Sequence, residues 1–320
     1  MRILVTGGAG YIGSVAVRML LKNNHEVSVL DDLSSGHREN LPSQVEFFEG
    51  SLLNTSLLVQ ALKDCDAVIH FAGKSLVGES VNNPELYKLI NVDGSKILIE
   101  QMKAVGVRKL VFSSSAATYG RATEKSIIES DSTLPTNPYG STKLQIEELI
   151  SNSAADYGLC AISLRYFNVA GALETDSGWL SEKHDPETHL IPNILNSSMS
   201  NPLSIFGTDW PTPDGTCIRD YVHVVDLIKA HIAALDLLDS PGHTIFNLGS
   251  GVGYSVLEIL KVASDIKGEP IPYLVAPRRA GDPATLVANV DKAREILKWT
   301  PTLGIKEMIA DTYLARNLGK

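Results

Sequence analysis

The stretch "ILVTGGAGYIGSVAVRML" occupies residues 3–20. It opens with a short apolar run at 3–6 and passes three glycines in step, Gly7, Gly10 and Gly13. It then continues in a helical pattern over 12–22. A strand that feeds a glycine turn and then a helix is the opening of a βαβ unit. The three glycines have separable tasks. One permits a tight turn, one lets backbone approach a pyrophosphate, and one lets helix pack on strand. The first helical turn then points unpaired N–H groups at an anion. The spacing is G-x-x-G-x-x-G rather than the commoner G-x-G-x-x-G, and alone it also fits a turn without a ligand.

Working outward, apolar runs alternate with helical patterns. Strands are expected at 26–30, 45–49, 67–72 and 109–113, with helices at 56–63 and 85–105. This alternation predicts an α/β fold, a doubly wound parallel sheet of Rossmann type. It weakens after Asn168, where 171–192 and "FGTDWPTPDGTCIRD" (206–220) are polar and turn-rich. Such loops suit a smaller C-terminal α/β domain that covers a ligand. "YVHVVDLIKAHIAALDLL" followed by "TIFNLGSG" returns to a helix–strand unit of the first domain. The expected division is therefore 1–168 plus about 218–250 for the first domain, and about 169–217 plus 251–320 for the second.

Bulk properties exclude several classes. The 320 residues are 44% hydrophobic and 20% charged, an ordinary globular composition. Net charge is -9, which argues against a nucleic-acid partner, since phosphate contacts need a basic face. The three cysteines, Cys65, Cys160 and Cys217, form no C-x-x-C and are odd in number, so neither a disulfide framework nor a zinc site is expected. The chain begins "MRILVTGG", with no basic and apolar leader and no 18-residue apolar span, so the expectation is a cytoplasmic protein without a membrane partner.

Asp31 closes the second strand, "VSVLDD", 18 residues after Gly13. An acidic group there accepts hydrogen bonds from the adenosine ribose and repels a 2′-phosphate, which favours NAD over NADP. Its bland reading is a solvated strand-end carboxylate. In "NPYGSTK", Tyr139 and Lys143 stand i, i+4 on one helix face, and Pro138 fits a helix start. A nearby ammonium lowers a tyrosine pKa from about 10 toward a usable base. A lone Y-x-x-x-K also occurs on solvated helices, but this one follows a strand ending in "FSSSAATYG", which places Ser115 beside the same reacting hydroxyl.

With a glycine loop, Asp31, a serine and Y-x-x-x-K in this order, the chain resembles the extended short-chain dehydrogenase/reductase family over essentially its whole length. Further blocks narrow the resemblance: "HFAGKSLVGES", "NVDGS", "LRYFNVAGA", "IFGTDWPTPDGTCIRDYVHVVDL" and "APRRAGDPA" are similar to those of the UDP-glucose (UDP-galactose) 4-epimerase family. The resemblance implies NAD held as a prosthetic group. It implies that Tyr139 takes the sugar 4-hydroxyl proton while hydride leaves C4, and that the 4-keto sugar turns over and regains the hydride on its other face. Lys143 would tune Tyr139, and Ser115 would orient the hydroxyl. Implied cofactor contacts are Gly7, Gly10, Tyr11, Ile12, Gly13, Asp31, Asp32, Ser35, Ser51, Leu52, Phe71, Ala72, Gly73, Lys74, Asn91, Ser113, Tyr139, Lys143 and Tyr166. Implied contacts to the UDP-sugar are Ser115, Tyr139, Asn168, His189, Leu190, Ser204, Phe206, Arg219, Arg279, Asp282 and Leu286. Paired arginines suit a pyrophosphate because planar forks bind its oxygens bidentately. Their bland reading is a surface ion pair with Asp220 or Asp282. A homodimer through helices 85–105 and 139–156 is also implied, although Leu144, Ile146, Leu149 and Ile150 fit packing on the sheet equally well.

The chain departs from the family pattern at four positions. Ser51 stands where Asp often reads the adenine amine, and Lys74 lies one residue earlier than the usual lysine, which leaves Ser75 in its place. Ala117 replaces a common Thr, and His189 a common Asn. His184, Asp185 and His189 fit no common metal spacing, so no metal is expected. A 4,6-dehydratase needs an acidic residue where this chain has Ala116 and Ala117. A 4-epimerase for another UDP-sugar stays open, because Leu286 is intermediate between the small residue that admits an N-acetyl group and the aromatic that blocks it. A non-catalytic NAD sensor is the remote alternative.

Overall fold

The computed structural model describes residues 1–120, 125–279 and 282–318. Its main sheet is built from β1 (Arg2–Thr6), β2 (Glu26–Asp31), β3 (Glu46–Glu49), β4 (Ala67–His70), β5 (Lys109–Ser115) and β6 (Cys160–Tyr166), with Gly242–Leu248 as a seventh strand. The order across the sheet is Gly242–Leu248, β6, β5, β4, β1, β2, β3. Every pairing is parallel. The chain winds outward from β1 in one direction, then from β4 in the other. Between those two strands no crossover covers the carboxyl ends, and this switch point is where such sheets bind ligands.

Period-2 alternation explains why the strands read as continuous apolar runs. Ile3 and Val5 of β1, Ala67 and Ile69 of β4, and Val111 of β5 face one core. Leu4, Val68, Leu110 and Phe112 face the other. The first core receives Val17 and Leu20 from α1 (Tyr11–Lys22) and Leu227, Ala230 and Ala234 from the helix Val224–Leu235. The second receives Leu58, Leu98, Met102, Ile146 and Ile150 from three helices on the opposite face. Each such large side chain contributes about 1.5–3 kcal/mol on burial, so both faces are firmly covered. Ile146 and Ile150 are thereby committed to the sheet rather than to a second subunit.

One long helix was expected over 85–105. The structure instead has Pro84–Tyr87, a π-helical turn at Lys88–Asp93, and Gly94–Val105. A single residue inserted into a turn leaves the apolar spacing nearly unchanged, so periodicity does not disclose it. The catalytic-side helix runs Pro138–Tyr157, with the Asn137 side chain accepting from the Gly140 N–H at 2.9 Å and Gly158 closing it in the left-handed conformation.

The smaller part gathers Asn168–Ala170, Ile218–His223, Gly253–Ser255 and Thr285–Leu286 in one sheet, and pairs Leu203–Phe206 with Tyr273–Ala276 in another. Its core includes Ile194, Ile205, Tyr221, Ile259, Met308 and Ile309. The chain crosses between the two parts more than once. Ala293, Leu297 and Trp299, which lie in the range expected for the smaller part, pack in the core of the main sheet. The Trp299 indole donates to the Asp226 carbonyl at 2.7 Å, tying that segment to the helix Val224–Leu235. All three cysteines are free thiols. Among the described residues, no helix is long and apolar enough to cross a membrane.

Candidate active site

Two of the three glycines in the loop are demanded by the protein's own packing. Gly7 has φ +70°, and a Cβ there would lie 2.6 Å from the Ala72 nitrogen, so both the turn and the close passage of the chain after β4 require glycine. A Cβ on Gly13 would stand 2.1 Å from the Gly7 oxygen and 2.8 Å from the Gly8 Cα. That is the tight packing of α1 on the loop. Gly10 differs. It has φ −73°, and an added Cβ would meet only the Gly7 oxygen, at 3.5 Å. Protein packing does not demand glycine there, and the space beside it is open. No side chain caps α1, which leaves its first-turn N–H groups without a capping partner. These residues fit a dinucleotide pyrophosphate.

Asp31 does more than end β2. Its carboxylate accepts from the Ala9 N–H and the Leu33 N–H, both at 2.9 Å, clamping the glycine loop to the strand end. Burial pushes its pKa up, and these backbone bonds oppose the rise. Asp32 and Ser35 are exposed beside it. Ser51 and Leu52 follow β3, with Leu52 buried and Ser51 bonded to the Leu53 N–H at 3.2 Å.

A buried polar chain links this loop to the catalytic helix. Thr6 Oγ1 meets His70 Nδ1 at 2.7 Å, and His70 Nε2 meets Ser95 Oγ at 2.8 Å. Ser95 donates to the Asn91 carbonyl. Asn91, on the π-helical turn, accepts from the Lys74 N–H at 2.8 Å and donates to the Lys74 carbonyl at 3.0 Å and to Thr142 Oγ1 at 3.1 Å. Thr142 donates to the Tyr139 carbonyl at 2.8 Å. Burial holds His70 neutral, with its pKa lowered to about 3, so one ring nitrogen donates and the other accepts. Asn91 thus spends its whole amide on protein partners. It fixes Lys74 and the turn after Gly73. The Lys74 ammonium lies 3.9 Å from Glu79.

Tyr139, Lys143 and Ser115 come together above the end of β5. The Ser115 side chain stands close enough to the Tyr139 phenol to favour its ionised form, and its hydroxyl accepts from the Ala117 N–H at 3.2 Å. Lys143 donates to the Ser113 carbonyl at 2.8 Å, and its ammonium sits 5.8 Å from the Tyr139 ring centroid. The Ser113 hydroxyl is engaged with His231 Nε2 at 3.0 Å. Phe71 packs against the His231 ring, and Tyr166, partly buried at the end of β6, lies 6.4 Å from it.

One expectation about this group needs correcting. Lys143 was expected to lower the Tyr139 pKa. Within the chain, burial dominates and raises it, and the opposing effect comes from Ser115. Burial also lowers Lys143 itself, to about 8, and its ammonium is directed at the Ser113 carbonyl. Depressing the phenol therefore requires positive charge beyond Lys143.

Behind the trio stands a support that the motifs did not announce. Glu147, one turn beyond Lys143, accepts from Arg165 Nε at 2.9 Å and Nη2 at 2.5 Å, and from Ser114 Oγ at 2.6 Å. Both ion-pair side chains are 4% exposed. The i, i+4, i+8 series Tyr139, Lys143, Glu147 was visible in the sequence as one helix face. Only the fold shows that this face is buried.

The residues expected to meet the UDP-sugar are held more loosely. Arg219 donates to the Ile218 carbonyl at 2.8 Å and approaches Asp282 at 3.8 Å. It does not pair with Asp220, which is buried and accepts from Ser250, Gly251 and Ala288. The Arg279 guanidinium lies 3.9 Å over the Phe206 ring and is exposed. Leu286 pairs in register with Arg219 and packs on the cluster that includes Ala116 and Phe167. Asn168 donates to the Asp220 carbonyl at 2.8 Å. Ser204 is exposed on the strand Leu203–Phe206, and Leu190 begins the helix Leu190–Asn196. His189, just before that helix, contacts Glu187 at 2.8 Å. Tyr11 donates to the Gly171 carbonyl at 2.6 Å, which joins α1 to the start of the covering loop, while Ile12 packs into the main core.

A family model described as the NAD dependent epimerase/dehydratase family matches residues 3–249. The chain is 49% identical to a UDP-glucose 4-epimerase of Corynebacterium glutamicum, over 94% of this chain and 91% of that protein. Among solved structures, it is similar to UDP-glucose 4-epimerase from Brucella ovis in complex with NAD, with TM-score 0.92, 39% identity, and coverage of 98% and 97%. It is equally similar in fold to UDP-glucose 4-epimerase from Bifidobacterium longum in complex with NAD+ and UDP, with TM-score 0.90, 37% identity, and 99% of both chains.

Proposed function

The chain belongs to the NAD dependent epimerase/dehydratase family, and from that premise we propose that it interconverts UDP-galactose and UDP-glucose by inversion at C4. The observation that carries this reading is the meeting of Tyr139, Ser115 and Lys143 beside a glycine loop whose one unconstrained glycine, Gly10, stands at the start of α1. Gly7, Gly10, Gly13 and the opening of α1 would hold the pyrophosphate of NAD, and Asp31 its adenosine ribose. When held there, NAD would supply a reversible acceptor for the C4 hydride.

The chain's own part begins with a proton. Tyr139 takes it from the sugar 4-hydroxyl and gives it back after inversion. Ser115 orients that hydroxyl and the Tyr139 phenol together. Lys143, anchored on Ser113, would hold its ammonium near the Tyr139 ring, and the further positive charge that favours the phenolate would come from the nicotinamide of bound NAD. Inversion requires the 4-keto sugar to turn while the nucleotide stays fixed. Ala116 and Ala117 offer no polar hold on the hexose, whereas Arg219 and Arg279 would grip the pyrophosphate. The absence of a carboxylate at 116 and 117 also supports epimerisation over elimination of water.

The same proposal includes a two-part chain divided near 168 and 250, in which 218–223 joins the smaller sheet and 293–299 returns to the main core. It also includes a homodimer formed through the helices Gly94–Val105 and Pro138–Tyr157, and a reducing, cytoplasmic setting that suits three free thiols. Sedimentation tests the dimer. The function is tested by incubating purified protein with UDP-galactose and no added NAD. UDP-glucose should accumulate to equilibrium. If neither UDP-glucose nor any other epimer forms, even with NAD added, the proposal fails.

A further inference from the structure

We propose a divalent transition-metal site formed by Glu182, His184 and His189, with Glu187 completing the ligand set. The sequence offered no common metal spacing here, and Asp185 takes no part. The fold folds the loop back on itself and brings one ligand atom from each of Glu182, His184 and His189 within 4.8 Å of one another. His184 Nδ1 lies 2.6 Å from Glu182 Oε1. His189 Nδ1 lies 2.8 Å from Glu187 Oε1 and 3.9 Å from Glu182 Oε2. The two imidazole rings face each other at 5.4 Å.

A simple pair of histidine–glutamate ion pairs does not account for two details. The His184 nitrogen is buried and close to Glu182, yet no aligned hydrogen bond joins them. The second Glu187 oxygen is also buried without a partner, on a side chain that is only 9% exposed. Two imidazoles whose Nδ1 atoms each meet a different glutamate, His184 on Glu182 and His189 on Glu187, next to an orphaned carboxylate oxygen, form a donor set that suits a cation. Bond lengths of about 2.0–2.2 Å around a tetrahedral ion place neighbouring ligand atoms about 3.4 Å apart. The three ligand atoms lie within 4.8 Å of one another, and Glu187 Oε1 lies 2.8 Å from His189 Nδ1, so closure on an ion needs side-chain shifts of about 1–1.5 Å. Two imidazoles with carboxylates suit Zn²⁺, Co²⁺ or Ni²⁺, not the all-oxygen cations. Two carboxylates also balance a double positive charge.

The site's position gives it a consequence. Glu182 and His184 line a narrow cleft with Gly10, Tyr11 and Ser35. A metal there would stitch the covering loop shut on the glycine-loop side.

The test uses the untagged full-length protein, stripped with a chelator and desalted. Co²⁺ addition is followed by visible absorption and Zn²⁺ by calorimetry, beside a His184→Asn/His189→Asn double variant and a Glu187→Gln variant. One equivalent should bind, with the visible bands of a four-coordinate ion that Zn²⁺ abolishes. The double variant should bind at least about tenfold more weakly with an unchanged far-ultraviolet spectrum, and Glu187→Gln should weaken binding to a smaller extent. If the double variant does not fold, Glu182→Gln takes its place. No binding by the wild type overturns the site, and so does one-to-one binding that the histidine variant retains.

Discussion

The two sides of the site are built differently. On the sheet side, nearly every polar atom near Tyr139 and the glycine loop already has a protein partner: Asn91, Lys143 and Asp31 are buried and bonded at 2.8–3.1 Å. On the opposite side, Arg219 reaches Asp282 only at 3.8 Å, and Arg279 is exposed on Phe206. One side has its partners within the chain, and the other keeps guanidinium groups with few of them. An epimerase needs that asymmetry. Its reacting groups must be in place for both hydride transfers, while its hold on the nucleotide sugar must form and release at each turnover.

The largest expected effect tests the rigid side directly. Tyr139→Phe removes one phenolic oxygen and leaves the packing intact. Turnover of UDP-galactose should fall by about 10²–10⁴-fold, while NAD content and the melting temperature stay near wild type. Retained activity would show that the preset group is not the base. Next in size is Glu147→Gln. The Arg165 guanidinium would remain buried without its counter-charge, a loss of about 3–5 kcal/mol in chemical denaturation. Were the two sides equally soft, the end of β6 around Arg165 would relax and the loss would stay below about 1 kcal/mol.

That second prediction marks the limit of what the sequence could disclose. Gly7, Gly10, Gly13, Asp31, Tyr139 and Lys143 were legible because turns and helix faces are set by spacings of three or four residues. Alternation likewise exposed the parallel sheet. The chain from Thr6 through His70, Ser95 and Asn91 to Thr142 was not legible, since its links join residues 64, 25 and 51 apart. Glu182 was missed as a companion of His184 and His189 for a related reason. Its neighbours by spacing are in an irregular loop, where no period predicts which side chains converge. The Tyr139 pKa was misjudged because charge proximity can be read from a helix face, while burial cannot.

A paired glycine experiment sharpens the comparison within the rigid side. Gly13→Ala presses a methyl against loop backbone that cannot yield, and should destabilise the ligand-free protein by about 1–3 kcal/mol. Gly10→Ala meets nothing closer than 3.5 Å, so its effect on the ligand-free protein should stay near the helix-cap preference, below about 1 kcal/mol. Gly10→Ala should nevertheless lose NAD on gel filtration. Equal melting shifts for the two variants would mean that both glycines serve packing alone.

The smallest expected effect belongs to the open side. Arg279 gains about 0.5–1 kcal/mol from stacking on Phe206 at an exposed position. Its removal should therefore leave the melting temperature almost unchanged. In contact with the substrate pyrophosphate it would form charge-assisted, bidentate bonds worth more than that stack. Arg279→Ala should raise KM for UDP-galactose about tenfold, equivalent to about 1.4 kcal/mol, with kcat within about twofold of wild type. Arg279→Lys should recover only part of this, because an ammonium keeps the charge but loses the fork. A matching fall in kcat would tell against a merely gripping role, for it would mean that this arginine stabilises the reacting sugar itself. The open side would then share in the chemistry that the asymmetry assigns to Tyr139, Ser115 and Lys143.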